Sequence, residues 1–213
     1  MAMLDVVARK LAASSHEMVY SRGDVIARIG ERFDPGMVRE GVLRYAIRSE
    51  DGRSATLCYV TPGEMFGVES LFRPMSHLVS AIAPSRVTHY DRQMMDELSH
   101  KNASVGRWAA DQMSDLVVRL DDAASALAFM TVAQRVAHHL LAMDALNDGS
   151  KPADGVHLNH QLLADAVGSV REVVARVVKE LREQRIVETS RHGIRITNRS
   201  ALYLVGADYP RTR

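Results

Sequence analysis

The chain has 213 residues, of which 46% are hydrophobic, and a formal net charge of +1 at pH 7. This length suits one large domain or two small ones. No run of about 18 apolar residues occurs, so we expect no membrane span, and residues 1–15 lack the apolar core of a secretory signal. A single cysteine, Cys58, excludes internal disulfides and sites built from cysteines alone, so a reducing cytoplasm is the expected location.

Residues 16 to about 90 carry the pattern of a β-rich domain. Turn signals recur at short intervals, and brief alternating segments separate them, such as Val42 to Ile47 and Ala55 to Val60. Many short strands at this spacing predict a roll or barrel. The dipeptide Asp51-Gly52 predicts a hairpin between the two segments.

Helices are predicted next, a short one over residues 91–98 and a long one from about Asn102. Apolar residues in the long helix repeat in steps of three and four, at Met113, Leu116, Leu120, Ala123 and Leu127. This spacing is the seam of a coiled coil. We expect the seam to form a homodimer, with Val117 and Leu120 facing the β-rich domain. The alternative is a helix that buries its stripe within its own protomer.

A further helix is predicted from Thr131 to about Leu146, followed by a loop over residues 147–155. A short helix, a glycine turn and a second helix then span Asn159 to Leu181, with Asn159 as candidate N-cap. The expected buried stripe of the short helix is Leu162, Leu163, Ala166 and Val167. Gly168 can end that helix in a left-handed conformation, and Ser169 can cap the next one.

The second helix separates into two faces when projected at about 100° per residue. Its apolar face carries Val170, Val174, Val177 and Leu181, and its charged face carries Arg171, Glu172, Arg176 and Lys179. Arginine can bond bidentately to guanine and glutamate can accept from cytosine, so the charged face suits the major groove of DNA. The alternative is an ordinary amphipathic helix with a solvated face.

Segments 186–189 and 194–197 alternate around a glycine-bearing turn, which predicts a β-wing. A winged helix-turn-helix is the economical interpretation of this region. Residues 131–213 carry 12 Lys+Arg against 9 Asp+Glu, whereas residues 1–130 carry 15 against 17. This mild basic bias is consistent with DNA binding.

Motifs along nearly the whole chain resemble the family of the cyclic-AMP receptor protein and FNR. They are RGDVIARIG, REGVLRYAIRSEDGRSATL and VTPGEMFGVESLF in the β-rich part, LAFMTVAQRVAHHLL after the long helix, and VGSVREVV in the second helix. The resemblance implies an α+β fold with a β-roll, like a cyclic-nucleotide-binding domain, over residues 1–98. A dimerisation helix over 99–130 and a winged helix-turn-helix over 131–213 would follow.

The resemblance also implies a bacterial transcription regulator that binds DNA as a homodimer. Arg171, Glu172 and Arg176 match the family's base-reading residues, which implies a palindrome close to TGTGA-N6-TCACA. Contacts to the DNA backbone are expected from His160, Gln161, Ser169, Lys179, Arg191 and His192. An activator of this kind would contact RNA polymerase, through a loop near residues 151–155.

The family's nucleotide pocket is degenerate in this chain. An ungapped register places Val68, Met75, Ser76, Leu120 and Asp121 at the positions that hold ribose, phosphate and base, and only Ser76 keeps the family's residue type. Glu69 lies one residue after the ribose position. Without an arginine for the phosphate, a buried negative charge would lack a partner. We therefore expect no control by cyclic AMP, no cofactor and no metal, and an effector that is unknown or not needed.

The competing hypothesis is a small-molecule sensor module with weakened DNA binding. A haem sensor is one form of it, with His16, His77, His89 or His100 as ligand, although none lies in a recognisable ligand motif. His138 and His139 are adjacent on a helix and point apart. Cys58 is expected to be a buried structural thiol. No phosphate-binding glycine loop, metal-ligand cluster or nucleophile motif occurs, so the chain is not expected to be an enzyme.

Overall fold

The structure, a computed structural model, describes residues 13–146, 160–190 and 193–206. Within these ranges the chain forms ten β-strands and six α-helices, which confirms the α+β class. Two compact units divide the chain: residues up to 47 with 57–121, and residues 48–56 with those from 122 onward. The boundary between the units, at 121/122, falls inside the long helix. The apolar repeat of this helix continues across the boundary, so the sequence does not indicate it.

The first unit contains two four-stranded sheets that together make the predicted β-roll. One has the strand order β1-β8-β3-β6 and the other β2-β7-β4-β5. Pairing is antiparallel in β1–β8, β3–β8, β3–β6, β2–β7 and β4–β7. The strands are β1 (Ser15–Tyr20), β2 (Val25–Ala27), β3 (Gly36–Glu40), β4 (Leu43–Arg48), β5 (Ser54–Val60), β6 (Met65–Phe66), β7 (Leu78–Ala81) and β8 (Ser85–Tyr90).

The core of the β-roll consists of side chains at alternate strand positions. In β7, Val79 and Ala81 are buried while their neighbours are only partly covered, as expected for a strand with one face inward. The largest cluster contains Ala27, Val38, Leu43, Tyr45, Val60, Phe66, Met75, Val79, Ala81 and Val87. The hairpin prediction at Asp51-Gly52 is confirmed, since Ser49 N–H donates to the Arg53 carbonyl at 2.9 Å in the turn between β4 and β5.

Helix α1 (Arg92–Lys101) begins at Asp91, whose carboxylate accepts from the Met94 N–H at 2.6 Å. Helix α2 (Ala103–Phe129) follows and turns one side toward the β-roll, where Met113 and Leu116 lie against buried clusters. Val117 is 60% exposed, so the prediction that it faces the β-roll was wrong. It stands about 100° around the helix from Leu116, and this rotation carries it to the solvent side.

The second unit holds the predicted winged helix-turn-helix. Its elements are α3 (Val132–Leu146), α4 (His160–Val167), α5 (Arg171–Glu183), β9 (Val187–Ser190), β10 (Gly193–Ile196) and α6 (Arg199–Gly206). They share one core, formed by Val136, Ala137, Leu140, Leu163, Ala164, Val167, Val174, Val177, Val178, Leu181, Ile186, Val187, Ile194 and Leu202. The strands β9 and β10 pair antiparallel, which confirms the wing. Asn159 and the predicted loop over 147–155 lie outside the described residues.

Helix α5 ends in a left-handed residue that is not glycine. Arg185 has φ 58°, and the Ile186 N–H closes the helix by donating to the Leu181 carbonyl at 2.9 Å. This arrangement favours glycine, because a side chain in the left-handed region costs about 1–2 kcal/mol.

We expect Arg185→Gly to stabilise the protein by about 1 kcal/mol, because it relieves this backbone conformation. The matched control is Arg182→Gly, in the last turn of the same helix, which should destabilise by about 1 kcal/mol through lost helix propensity. Urea unfolding measures both free energies. Equal destabilisation by the two variants would contradict the assignment of the left-handed end.

Candidate nucleic-acid interface and β-roll cavity

The turn between α4 and α5 is built around Gly168, which adopts φ 65° as predicted. The Ser169 N–H donates to the Ala164 carbonyl at 3.0 Å and closes helix α4. The prediction that Ser169 caps α5 was wrong, because the N-cap is Val170 and no side chain caps it. Since Ser169 belongs to the closing turn of α4, the next helix begins one residue later than expected.

The buried faces of the two helices differ from the predicted ones at one residue each. Leu162 is 43% exposed, and Ala164 occupies the core in its place. Val170 is 46% exposed because it precedes the first turn of α5 and cannot share the inward face of the helix. The inward face of α5 consists of Val174, Val177, Val178 and Leu181.

The outward side of α5 carries the predicted DNA-reading residues. Arg171, Glu172, Arg176 and Lys179 are all exposed, and we call them the recognition face. Lys179 forms a loose ion pair with Glu183, with 3.8 Å between Nζ and Oε1. Within the described part of the chain, no ion pair engages Arg171, Glu172 or Arg176. Their donors and acceptors therefore remain available to a partner.

The predicted backbone contacts lie at different places around this face. His160 begins α4 and is half-buried, and Gln161 donates from Nε2 to the Asp165 carboxylate at 2.9 Å. Ser169 lies in the turn, while Arg191 and His192 fall outside the described residues. The N-terminus of α5 has no side-chain cap, so no capping side chain occupies its first N–H groups, the groups that bind anions at helix termini.

Arg135 of α3 connects the turn to the start of its own helix, a contact that sequence inspection missed. Its Nε donates to the Val167 carbonyl at 2.9 Å, and Nη1 donates to the Met130 carbonyl at 2.8 Å. Both acceptors lie at helix C-termini, where a cation is favoured by the helix dipole. Burial lowers the pKa of this guanidinium from its ordinary value. Arg135 thus acts as a positioning residue for the turn that precedes α5.

The first unit contains a cavity of about 270 Å³ between the β-roll and helix α2. Its apolar lining includes Met37, Val60, Met65, Phe66, Val68, Trp108, Met113 and Leu116. Its polar lining consists of Tyr45, Cys58, Glu64, Glu69, Gln112, Asp115 and Arg119, together with backbone of two glycines.

An ion pair between Glu64 and Arg119 lies on one side of the cavity. Arg119 also donates to the Tyr59 carbonyl at 3.0 Å, and Glu64 accepts from the Thr61 N–H at 2.7 Å. Burial alone would raise the pKa of Glu64, but the hydrogen bonds from Arg119 and Thr61 outweigh it and hold that pKa below its ordinary value. Both charges are therefore already neutralised within the protein.

Glu69 and Tyr45 lie on another side of the cavity and are almost fully buried. Tyr45 donates to Glu69 Oε2 at a long 3.5 Å and accepts from the Gly67 N–H at 2.7 Å. No described residue donates to Glu69 Oε1. Burial raises the pKa of Glu69, and burial beside Glu69 raises the pKa of Tyr45 well above its ordinary value.

Of the six residues predicted for the degenerate effector pocket, Val68 and Glu69 line this cavity. Met75 is buried in the main β-roll cluster instead, and Ser76 is exposed. Leu120 and Asp121 lie beyond the cavity on α2, where its lining stops at Arg119. The predicted dimer seam overlaps the cavity wall, because it includes Met113 and Leu116.

Sequence inspection missed most of the cavity lining, including Tyr45, Trp108 and Arg119. The spacing of Gln112, Leu116 and Arg119 by four and three residues was an available signal for one helix face. Nothing in the sequence indicated that this face meets the strand carrying Tyr45.

His89, one of the candidate haem ligands, is buried with both ring nitrogens engaged by the protein. Nε2 lies 2.8 Å from the Tyr20 hydroxyl, and Nδ1 lies 3.0 Å from the Asp34 carbonyl. His16 stacks on it with 5.4 Å between ring centroids, while His77 is half-buried and His100 exposed. Cys58 is half-buried, and burial raises the pKa of its thiol to about 11, which suits an unreactive thiol.

Two family models match the chain in the order that the structure shows. A cyclic nucleotide-binding domain matches residues 17–102, and a Crp-like helix-turn-helix domain matches residues 134–204. The transcriptional regulator LdrP from a strain of Thermus thermophilus is 30% identical over 190 residues, which cover 87% of this chain and 91% of LdrP. The chain belongs to the CRP/FNR family of DNA-binding transcription regulators.

A further sequence relative and two solved structures are similar to this chain. The cAMP-activated global transcriptional regulator Vfr of Pseudomonas aeruginosa is 29% identical over 187 residues, covering 84% of this chain and 87% of Vfr. FixK2 from Bradyrhizobium japonicum superposes with a TM-score of 0.75 at 24% identity, over 92% of this chain and 99% of FixK2. The c-di-GMP responsive regulator CLP from Xanthomonas campestris superposes with a TM-score of 0.75 at 21% identity, over 90% of this chain and 98% of CLP. LdrP and Vfr are transcriptional regulators, and the two solved structures have the same fold as this chain.

No helix within the described ranges is both long and apolar enough to cross a membrane.

We expect Arg135→Met to reduce the free energy of unfolding by about 1–3 kcal/mol, because two part-buried carbonyl oxygens lose a charged donor. The matched control is Arg199→Met in the same unit, which removes a surface ion pair with Asp144 and should cost at most about 1 kcal/mol. Urea titration followed by circular dichroism compares them. Equal losses in the two variants would contradict the positioning role.

Proposed function

We propose that this regulator binds, as a homodimer, a DNA palindrome close to TGTGA-N6-TCACA, without needing cyclic AMP. The observation that carries the proposal is the recognition face, where two arginines and a glutamate are exposed and form no ion pair with another described residue. Buried valines on the opposite side hold the helix, so these side chains are presented by a fixed element. Half-sites one helical turn apart, about 34 Å, suit a two-fold dimer.

Base reading is assigned to Arg171, Glu172 and Arg176. The two arginines bond guanine O6 and N7, and Glu172 accepts from cytosine N4. Arg171 and Glu172 lie in the first turn of α5, the end of a recognition helix that enters the major groove. The adjacent Ala175 has only a methyl group, which allows close approach of this face to the bases.

Phosphate contacts are assigned to the surroundings of that face. His160, Gln161, Ser169 and Lys179 supply donors on the described residues, and Arg191 and His192, which lie outside them, are proposed as further donors. The uncapped N-terminus of α5 adds backbone N–H groups that favour a phosphate. These contacts would fix the position of the protein along the DNA but would not discriminate between base sequences.

Dimerisation is assigned to helix α2, which keeps apolar surface on its outward side. Val117 and Val118 are 60% and 59% exposed, and Phe129 at its end is 75% exposed. The proposed seam comprises Met113, Leu116, Leu120, Ala123 and Leu127. Because Met113 and Leu116 lie against the β-roll, the outward valines are the stronger candidates for contact with a second copy.

Independence from cyclic AMP is supported by the charges around the cavity. Arg119 is the single basic side chain in the described lining, and it is already bound to Glu64. A cyclic phosphate would therefore meet carboxylates without a free cation, which is unfavourable in a buried site. The names of the relatives differ in effector, since Vfr is cAMP-activated and CLP is c-di-GMP responsive.

The competing function is a small-molecule sensor with weakened DNA binding, and the cavity is the observation that favours it. The complete set of exposed base-reading residues favours the DNA-binding proposal over this alternative. We further propose that the regulator acts in the bacterial cytoplasm as an activator in contact with RNA polymerase. Residues 151–155, the expected contact loop, lie outside the described residues.

The proposal is tested by fluorescence anisotropy on three duplexes at one fixed salt concentration: the palindrome, a single half-site and a scrambled sequence. Each is titrated with and without cyclic AMP. We expect selective binding of the palindrome in both conditions, with the half-site at least about tenfold weaker because only one subunit engages it. Selectivity that requires cyclic AMP would overturn effector independence. Equal binding of palindrome and half-site would overturn the dimer.

We expect Arg171→Ala to weaken binding of the palindrome by about 1–3 kcal/mol and to relax discrimination at the base pair that Arg171 contacts. The matched control, Lys179→Ala, should weaken palindrome and scrambled duplex alike, since it removes a phosphate contact. Both are measured by the same anisotropy titrations. If Arg171→Ala behaved as the lysine control does, its role as a base-reading residue would be excluded.

A further inference from the structure

We propose that the β-roll cavity binds a small organic cation, a protonated amine or amidine on an aromatic or apolar body, with the cationic group at Glu69. The site lies outside the DNA-reading surface, and its occupancy does not depend on DNA. The inference therefore goes beyond the proposed function.

The carboxylate of Glu69 is the group to which the cation is assigned. The residue is only 4% exposed, and it lines the cavity. Oε2 has one long contact with the Tyr45 hydroxyl, and no described residue donates to Oε1. A buried acceptor without a donor is unfavourable, so a ligand that supplies a charged N–H at this point gains a strong hydrogen bond.

The net charge of the cavity lining also favours a cationic ligand. Three carboxyl groups line the cavity, those of Glu64, Glu69 and Asp115, against the single guanidinium of Arg119. Arg119 pairs with Glu64 and bonds the Tyr59 carbonyl, so it does not compensate Glu69. Arg73 attracts the Glu69 carboxylate but does not line the cavity. An anionic ligand would therefore meet a surplus of carboxyl groups in the lining, whereas a cation would reduce that surplus.

The walls and size of the cavity define the rest of the ligand. Trp108, Phe66 and Met113 provide apolar and aromatic surface, and an indole face also attracts a cation. The volume of about 270 Å³ lies just below the range of about 300–1,000 Å³ typical of ligand pockets. A ligand with one aromatic ring and a short alkylamine chain fits the volume and the charge of this cavity. A nucleotide does not match that charge, because its phosphate is negative.

Gly67 keeps the Glu69 side of the cavity in place. It has φ 74°, and a Cβ at this position would lie 2.3 Å from the Phe33 ring. Its N–H holds the Tyr45 hydroxyl at 2.7 Å, directly beside Glu69. The carboxylate is therefore presented by a segment that the surrounding packing fixes, as a preorganised binding group requires.

The test uses Trp108, the single tryptophan of the chain, as an intrinsic fluorescent reporter in the cavity wall. The full-length protein, without DNA, is titrated with three probes of one shape and different charge. They are 2-phenylethylamine as cation, 2-phenylethanol as neutral donor and phenylacetate as anion. We expect saturable binding of the amine with a Kd of about 1 mM or lower, and at least about tenfold weaker binding of phenylacetate.

The variant Glu69→Gln keeps the shape of the side chain and removes its charge, and we expect it to abolish the preference for the amine. The matched control is Glu31→Gln at an exposed position of the same unit, which should retain the preference. Equal binding of all three probes, tighter binding of phenylacetate, or no saturable binding of the amine would each overturn the proposal. The charge series on the wild-type protein decides the question even if Glu69→Gln does not fold.

Discussion

The left-handed turn at Gly168 is the constraint on which presentation of the recognition face depends. Any side chain there would be strained, and a Cβ would lie 3.0 Å from the Ala55 Cβ and 3.2 Å from Leu127 Cδ2. Ala55 also forms an isolated antiparallel bridge with Val167, within the same compact unit. The turn is thus enclosed by packing on one side, while Arg135 holds the Val167 carbonyl on the other. The direction of α5 follows from this turn, because Val170, the N-cap of the helix, comes almost directly after Gly168.

The sequence predicts those features that depend on periodicity and on turn chemistry. The alternation of Val42 to Ile47, the dipeptide Asp51-Gly52 and the valine spacing in α5 each identify their elements correctly. Two of the errors occur at a helix end. Ser169 and Val170 are displaced by one residue, because closure of α4 takes Ser169 into its own terminal turn. A cap preference alone cannot show which of two neighbouring turns uses a residue.

The cavity was less predictable, for a different physical reason. An ungapped alignment with the family compares residues only by their position along the chain. The cavity is formed by residues from several strands and a helix that meet only in the folded protein. Glu64 was visible in the sequence, but its ion pair with Arg119 joins residues separated by 55 positions. The prediction that Val117 faces the β-roll was wrong because a 27-residue helix with apolar residues on several sides fits more than one rotation about its axis. Packing against the β-roll selects between them.

The distribution of unpaired charge relates the two proposed sites. Buried or half-buried charges with internal partners, such as Arg135, Arg119 and Glu64, stabilise the fold, since removal of either partner leaves the other desolvated. Charged groups whose hydrogen-bonding capacity is not filled by other described residues are different, because a ligand can supply the missing donor or acceptor. Arg171 and Arg176 leave donors toward solvent, where the acceptors of DNA are complementary. Glu69 has an acceptor, Oε1, to which no described residue donates, and its burial in the cavity lining strengthens the electrostatic contact that a cation would make. By this rule, the arginines of the recognition face suit the acceptor atoms of base edges, and Glu69 in the β-roll cavity suits a small cation.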